Sequence, residues 1–291
     1  SQARATGRVA LIAGIEGGHS LEGSLDSLEW FFERGLRVLT LVWNNHLDWI
    51  RSCRDGAGPE VPAGLSDFGR RLVRRMNELG VLVDVSHAGE RSFYDTLEVS
   101  AKPVIASHSG CNVVNAHPRN LNDDQLRMLA AAGGVVGVVF CPAFLDADAL
   151  AGEKAIGERA EWKTLVGRNE TETFLQKGRY MQREAAPLSI ERVVDHIAHA
   201  ADIAGIRHVG LGSDYDGILR APAGLEDASG YQTLANALEK RGFASTEVDA
   251  IFFDNMARVF SEATGTGTRA ATAALVPMHG SGMVASSGSR A

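Results

Sequence analysis

Two stretches, Gly80-Val-Leu-Val-Asp-Val-Ser-His87 and Pro103-Val-Ile-Ala-Ser-His-Ser109, share one design: a short aliphatic, β-branched run that closes on a histidine. Such runs read as strands buried on both faces, which is what a parallel sheet requires. Between them, Arg91–Val99 carries a helical pattern, so strand, helix and strand succeed one another as in a βα repeat. The rhythm continues outward. Strand candidates are Val9–Ile15, Val38–Val42, Val81–Val85, Val104–Ser107, Val135–Phe140 and His208–Gly212. Helical patterns cover Leu25–Arg34, Ser66–Leu79, Arg91–Val99, Asp123–Ala132 and Ile190–Ala204, with stop glycines at Gly35, Gly80, Gly133 and Gly205. The expected fold is a parallel α/β barrel.

The segment from about Asp146 to Pro187 is charged and mixed in pattern, and reads as an insertion or a lid over one barrel end. Gly230–Arg241 and Ser245–Glu262 read as closing helices, the second with Ser245 as N-cap and Glu247 in its first turn. From Thr264 the chain turns to Gly, Ser, Ala and Thr, the composition of a flexible tail. The expected organisation is a barrel domain over 1–263 and a tail over 264–291.

The bulk properties exclude several functions. A length of 291 residues admits one barrel or two small domains, and 45% apolar with 22% charged residues is ordinary globular usage. A net charge of -7, with no long Lys/Arg run, offers no footprint for nucleic acid or anionic membrane. Cys53, Cys111 and Cys141 are odd in number and in no CxxC pair, so the expected thiols are reduced and the location cytoplasmic. No apolar run approaches the roughly 20 residues that span a bilayer, and the start lacks the order of a signal peptide.

In a parallel α/β barrel the chemistry sits where strands end. Glu16 follows Val9–Ile15 and precedes Gly17 and Gly18, which allow a tight turn around an inward carboxylate. His87 and His108 close their own strands, and Asp214 follows Val-Gly-Leu-Gly-Ser. Two imidazoles and a carboxylate form a first-row metal set, and a carboxylate can bridge two ions. Zinc is the first expectation, though cobalt and manganese accept the same ligands. Bound metal makes water a nucleophile near neutral pH, so hydrolysis follows, with Asp214 as acid and base and Asp216 competing for that role. Arg119, in Ala-His-Pro-Arg-Asn-Leu-Asn, stands where a guanidinium would hold a substrate carboxylate. His196 and His199 read as ordinary helix residues, His279 falls in the tail, and His46 with Asp48 forms an HxD pair inside a loop.

From Val9 to about Glu262 the sequence resembles the membrane (renal-type) dipeptidase family of zinc metallopeptidases, which has many bacterial members. The resemblance rests on Gly-Ile-Glu-Gly-Gly-His at 14–19, the two histidine strands at 80–87 and 103–109, and Pro-Arg-Asn-Leu at 118–121. Gly-Ser-Asp-Tyr-Asp-Gly at 212–217 and Asp-Asn-Met-Ala-Arg-Val-Phe at 254–260 complete it. It implies a binuclear zinc (β/α)8 barrel that hydrolyses dipeptides, with Glu16 bridging both ions and His87 and His108 holding one. It also implies Asp214 as the acid–base group, Arg119 as the residue that receives the substrate's terminal carboxylate, and a homodimer. Trp43 and Asn44 fall at substrate-binding positions, Trp43 standing where some members carry a histidine that helps hold the tetrahedral intermediate.

The family's HxD pair on the first barrel strand, which serves the other zinc, has no counterpart here before Val9. Six of eight strands are visible, so the expectation is a shortened member lacking its first two βα units, poorly active alone and prone to associate through exposed sheet edges. Two other readings keep the residues and change the function. One is a metal amidohydrolase acting on a cyclic amide, which Arg119 argues against because a neutral ring needs no cation. The other is a non-enzymatic remnant that holds one zinc at most.

Overall fold

The computed structural model describes residues 9–54, 56 and 58–265. Six parallel strands form one sheet in chain order: β1 Ala13–Glu16, β2 Leu36–Thr40, β3 Leu82–Asp84, β4 Val104–Ser109, β5 Val135–Val139 and β6 Val209–Gly212. Helices α1 Leu25–Glu33, α2 Asp67–Leu79, α3 Glu90–Val99 and α4 Asp123–Ala131 join successive strands from β1 to β5. This is the parallel-sheet α/β architecture that the sequence implied. Within the described residues β1 pairs only with β2 and β6 only with β5, so these two strands are its edges.

Local chemistry explains the boundaries. Ser66 caps α2 by accepting the Gly69 N–H, and Gly80 ends that helix in the left-handed conformation, φ 79°, which glycine adopts without a Cβ penalty. Asn122 and Gln125 form a reciprocal capping box at the start of α4. All five residues of β5, Val-Val-Gly-Val-Val, are buried, as a central parallel strand demands.

Between β5 and β6 the chain forms α5 Pro142–Leu145, α6 Ala147–Gly157, α7 Ala160–Thr164, α8 Glu170–Glu184 and α9 Glu191–Ala204. After β6 come α10 Tyr231–Arg241, α11 Ser245–Asp249 and α12 Asn255–Thr264. Val259 and Ala263 of α12 pack on Leu82, Ile105 and Val135 where β3, β4 and β5 begin. The Asn255 amide donates to the carbonyls of Ile206 and Val209, pinning α12 beside β6. One end of the sheet is thereby covered, leaving the strand C-termini as the rim that holds the chemistry. No helix among the described residues is long and apolar enough to cross a membrane.

Three expectations need correction. The run Val9–Ile15 becomes a strand only from Ala13, and Val9 and Leu11 are 87% and 93% exposed. An apolar run forms a strand where a neighbour supplies backbone partners, and β2 supplies them only from Ala13 to Glu16. Ser245 is the first residue of α11 rather than its cap; Ala244 caps it, and the Glu247 carboxylate reaches back to accept the Ala244 N–H at 2.9 Å. The single helix expected over Ser245–Glu262 contains a π-helical stretch at Ala250–Asp254 that separates α11 from α12. Of the tail expected over 264–291, Thr264 closes α12 and Gly265 caps it, while the residues beyond, His279 included, lie outside the described residues.

One buried histidine welds the long connection to the sheet. His196 on α9 accepts the Cys111 N–H at Nδ1 (2.9 Å) and donates from Nε2 to the Leu145 carbonyl (3.1 Å). Accepting at Nδ1 requires a neutral ring, and burial pushes its pKa down to about 4. The folded state therefore resists a proton that the unfolded chain takes up below about pH 6.5. This contribution is fully present above pH 6.5 and is lost as pH falls towards 4. Urea unfolding at pH 7.5 and at pH 4.5 is expected to show the parent chain losing on the order of 2–3 kcal/mol more than His196→Gln.

Candidate metal centre

The rim of strand C-termini is level. Glu16 pairs opposite Thr40 and Thr40 opposite Asp84, so residues just past β1, β2 and β3 share one layer. Glu16 ends β1, and the turn after it is as tight as its glycines allow. A Cβ on Gly18 would lie 2.7 Å from the Leu41 carbonyl oxygen, and Gly17 takes φ 90°. His87 sits just past β3 with φ 69°, and His108 lies within β4.

These three side chains converge. The Glu16 Oε1 atom is 2.9 Å from His87 Nε2 and 3.1 Å from His108 Nε2, and the two imidazole nitrogens are 3.1 Å apart. On the far side of the His87 ring, Nδ1 lies 3.1 Å from Asn44 Oδ1, an oxygen that also accepts from Arg54 Nε at 3.3 Å. An atom that accepts from a guanidinium is a carbonyl oxygen, so His87 Nδ1 carries the proton and Nε2 presents its lone pair. His108 Nδ1 contacts Ser107 Oγ at 2.7 Å. Burial, outweighing the carboxylate beside it, pushes His87 down to about 4.

The Glu16 carboxylate oxygen and the two imidazole Nε2 atoms thus crowd into one small volume. This arrangement is repulsive unless a cation sits among them. Nitrogen and oxygen donors at about 2.0–2.2 Å from a tetrahedral zinc would stand roughly 3.3 Å from one another, close to the separations seen. The donor set of Glu16, His87 and His108 could hold a zinc-like divalent ion, and it is the one such cluster among the described residues.

A cleft of about 470 Å³ opens over the cluster, lined by Glu16, His87, Trp43, Asn44, Arg119 and Asp214. Burial raises the Asp214 carboxyl pKa, and its backbone is left-handed at φ 59°. Asp216 faces a different cleft, beside Arg179 and Tyr215. Arg119 is 5% exposed; it donates to the His108 carbonyl at 3.0 Å, while its buried Nε–H has no protein partner. His46 and Asp48 stand apart from the cluster, His46 Nδ1 accepting the Ser52 N–H instead. His199 bonds Asp123 at 2.7 Å and, like His196, plays a packing role.

Sequence reading overlooked three features. Asp84 is buried beneath the histidines and accepts four hydrogen bonds. A carboxylate inside Val-Leu-Val-Asp-Val was the available signal, since a buried charge survives only with partners. Glu153 on α6 pairs with Arg220 at 2.8 Å on the far wall of the cleft, and both are largely buried. His117 stacks on Phe144, centroids 4.4 Å apart, and accepts the Arg119 N–H.

A family model described as membrane dipeptidase, peptidase family M19, matches residues 1–273. A Schizosaccharomyces pombe protein named as an uncharacterized dipeptidase is 32% identical over 260 residues, covering 89% of this chain and 54% of its own length. The chain thus spans about half the length of that curated relative. Among solved structures, a Rhodobacter sphaeroides metallo peptidase liganded with a phosphinate mimic of the dipeptide L-Ala-D-Ala superposes with TM-score 0.72 at 29% identity, covering 90% of this chain and 66% of that one. A probable dipeptidase of Pseudomonas aeruginosa gives TM-score 0.76 at 25% identity, covering 91% and 72%.

If the three donors hold one cation, removing the anionic one weakens binding most. Glu16→Gln keeps the shape and loses the charge. Its zinc affinity, measured against a chromogenic chelator, is expected to fall by more than the roughly 10- to 100-fold that follows loss of an outer partner.

Proposed function

The chain belongs to the membrane dipeptidase family, peptidase family M19, and from that premise we propose that it hydrolyses dipeptides with zinc held by Glu16, His87 and His108. The observation that carries the reading is the juxtaposition, in one cleft, of a three-donor cluster with a buried guanidinium that has a hydrogen still unsatisfied. Leaving such a donor unpaired costs about 1–3 kcal/mol, and a substrate carboxylate bonded there would recover it.

In this reading Arg119 takes the terminal carboxylate, and the distance from it to the cluster sets the length of substrate accepted. The cleft volume of about 470 Å³ suits a molecule of dipeptide size. When bound, zinc supplies Lewis acidity that makes water nucleophilic near neutral pH and polarises the scissile carbonyl. Asp214 takes the proton that the attacking water loses and returns it to the departing amine; its raised pKa suits both transfers. With its two carboxylate oxygens Glu16 would hold both ions if two were bound. Trp43, half-exposed at the mouth, and Asn44 flank the substrate, and Asn44 also orients the His87 ring. Residues 1–263 act as one catalytic domain, the insertion at about 146–187 contributing Glu153 to the cleft wall.

The deciding experiment is metal content per chain, with L-Ala-L-Ala-type hydrolysis assayed on the same sample before and after chelation. Chelator-sensitive turnover is expected, with two zinc ions if Glu16 bridges and one if the cluster acts alone; zinc without turnover would sink the proposal. Arg119→Ala is expected to lower kcat/KM for dipeptides by on the order of 100-fold with metal content unchanged. Asp214→Asn is expected to lower kcat by about 10²- to 10⁴-fold, with less effect on KM.

A further inference from the structure

We propose that Asp84, acting through Ser107, is the positioning residue that fixes which nitrogen of His108 carries the proton, and so turns the bare Nε2 lone pair towards the metal centre. The inference rests on the metal reading of that centre.

Asp84 is buried at the end of β3, and each of its oxygens has two donors. Oδ1 accepts the backbone N–H groups of Ser86 and Ser107, both at 2.9 Å. Oδ2 accepts the hydroxyls of Thr40 at 2.5 Å and Ser107 at 2.6 Å. A carboxylate only accepts, so the single hydroxyl proton of Ser107 is committed to Asp84. The competing acceptor, Ser86 Oγ, is farther away at 3.2 Å, uncharged, and already accepting the His108 N–H. At its 2.7 Å contact with His108 Nδ1, Ser107 Oγ can then only accept. His108 is left protonated at Nδ1 and bare at Nε2, the nitrogen that faces Glu16 and His87.

Reversing one end of this relay reverses the other. In Asp84→Asn the two backbone N–H groups keep an oxygen at the Oδ1 position, which forces the amide nitrogen to Oδ2. That nitrogen donates to Ser107 Oγ and frees the serine proton to point at His108 Nδ1. The ring must then carry its own proton on Nε2, where it blocks the metal. Shape and hydrogen-bond count are kept while polarity is inverted. Thr40→Val removes one donor to Asp84 and leaves the relay untouched.

The test uses the full chain in three forms: unmodified, Asp84→Asn and Thr40→Val. Zinc affinity is measured by chelator competition, and the His108 tautomer of the metal-free protein by long-range proton–nitrogen NMR. The expected result is a roughly 10- to 100-fold weaker zinc affinity and an Nε2-protonated His108 in Asp84→Asn, with both readouts unchanged in Thr40→Val. A purely structural role for the Asp84 cluster would move both variants together and overturns the proposal, as does zinc affinity in Asp84→Asn within about threefold of the parent. An unaltered tautomer in that variant overturns it too. Should Asp84→Asn not fold, Ser107→Ala decides: loss of the single tautomer with weaker zinc binding supports the relay, and an unchanged ring refutes it. If the unmodified chain takes up no zinc, the metal reading fails, and the tautomer shift alone decides this inference.

Discussion

The structure turns on the mutual repulsion of three electron-pair donors held within about 3 Å of one another at the rim of a parallel sheet. No side chain would choose that position alone. Glu16, His87 and His108 are brought there by strand register, because parallel strands in chain order put all their C-termini at one end. The backbone bonds and apolar packing of the sheet meet the cost of assembling the donors. A cation with affinity for nitrogen and oxygen would turn the repulsion into binding energy. Covering the opposite end with α12 leaves this rim as the place where polar groups can meet both the core and solvent.

Burying polar groups around such a centre is tolerable only when each has a partner, since an unpaired buried polar atom costs as much as a cavity in the core. Asp84 meets that condition with four donors, and Arg220 with Glu153 and the Ala186 carbonyl. Arg119 does not: its Nε is buried at the cleft wall without a protein partner. What sets it apart from the other buried guanidinium groups is its place in the cleft over the donor cluster. The same comparison distinguishes Asp214 from Asp216, whose side chains are two residues apart yet line different clefts.

Much of this was legible in the sequence because parallel sheets write themselves plainly. Buried strands such as Val135–Val139 are continuous aliphatic runs, and a polar residue at the end of one has few places to point but the rim. Glu16, His87, His108 and Asp214 came from that rule, and Arg119 from its place in the loop between the His108 strand and the next helix. Interactions across the sheet were not legible. Asp84 finds Thr40 on one neighbouring strand and Ser107 on the other, 44 and 23 residues away, and periodicity carries no information about pairs so distant. Edges were also hidden: Val9–Ile12 has the pattern of a strand, but pairing depends on a neighbour, which no local pattern encodes. The cap of α11 was misplaced by one residue because Ser245 is a better capping side chain than Ala244, whereas Glu247 supplied the bond from inside the helix. The helices of 146–187 escaped for lack of an apolar stripe, α6 and α8 burying little of their surface.

Backbone strain gathers at the same rim. Of the four non-glycine residues with left-handed φ among the described residues, His87, Asp214 and Asp216 all follow the C-terminal ends of strands. Each such residue costs about 1 kcal/mol or more relative to a relaxed backbone, and glycine would remove the cost. The chain keeps the side chains instead. A residue leaving a strand in the ordinary β conformation alternates between the two faces of the sheet, whereas a left-handed turn swings the side chain back over the strand end. At His87 this swing is what sets Nε2 against Glu16 and His108 rather than beside Asn44 alone. At His87 the strain accompanies the convergence of donors from separate strands at one point.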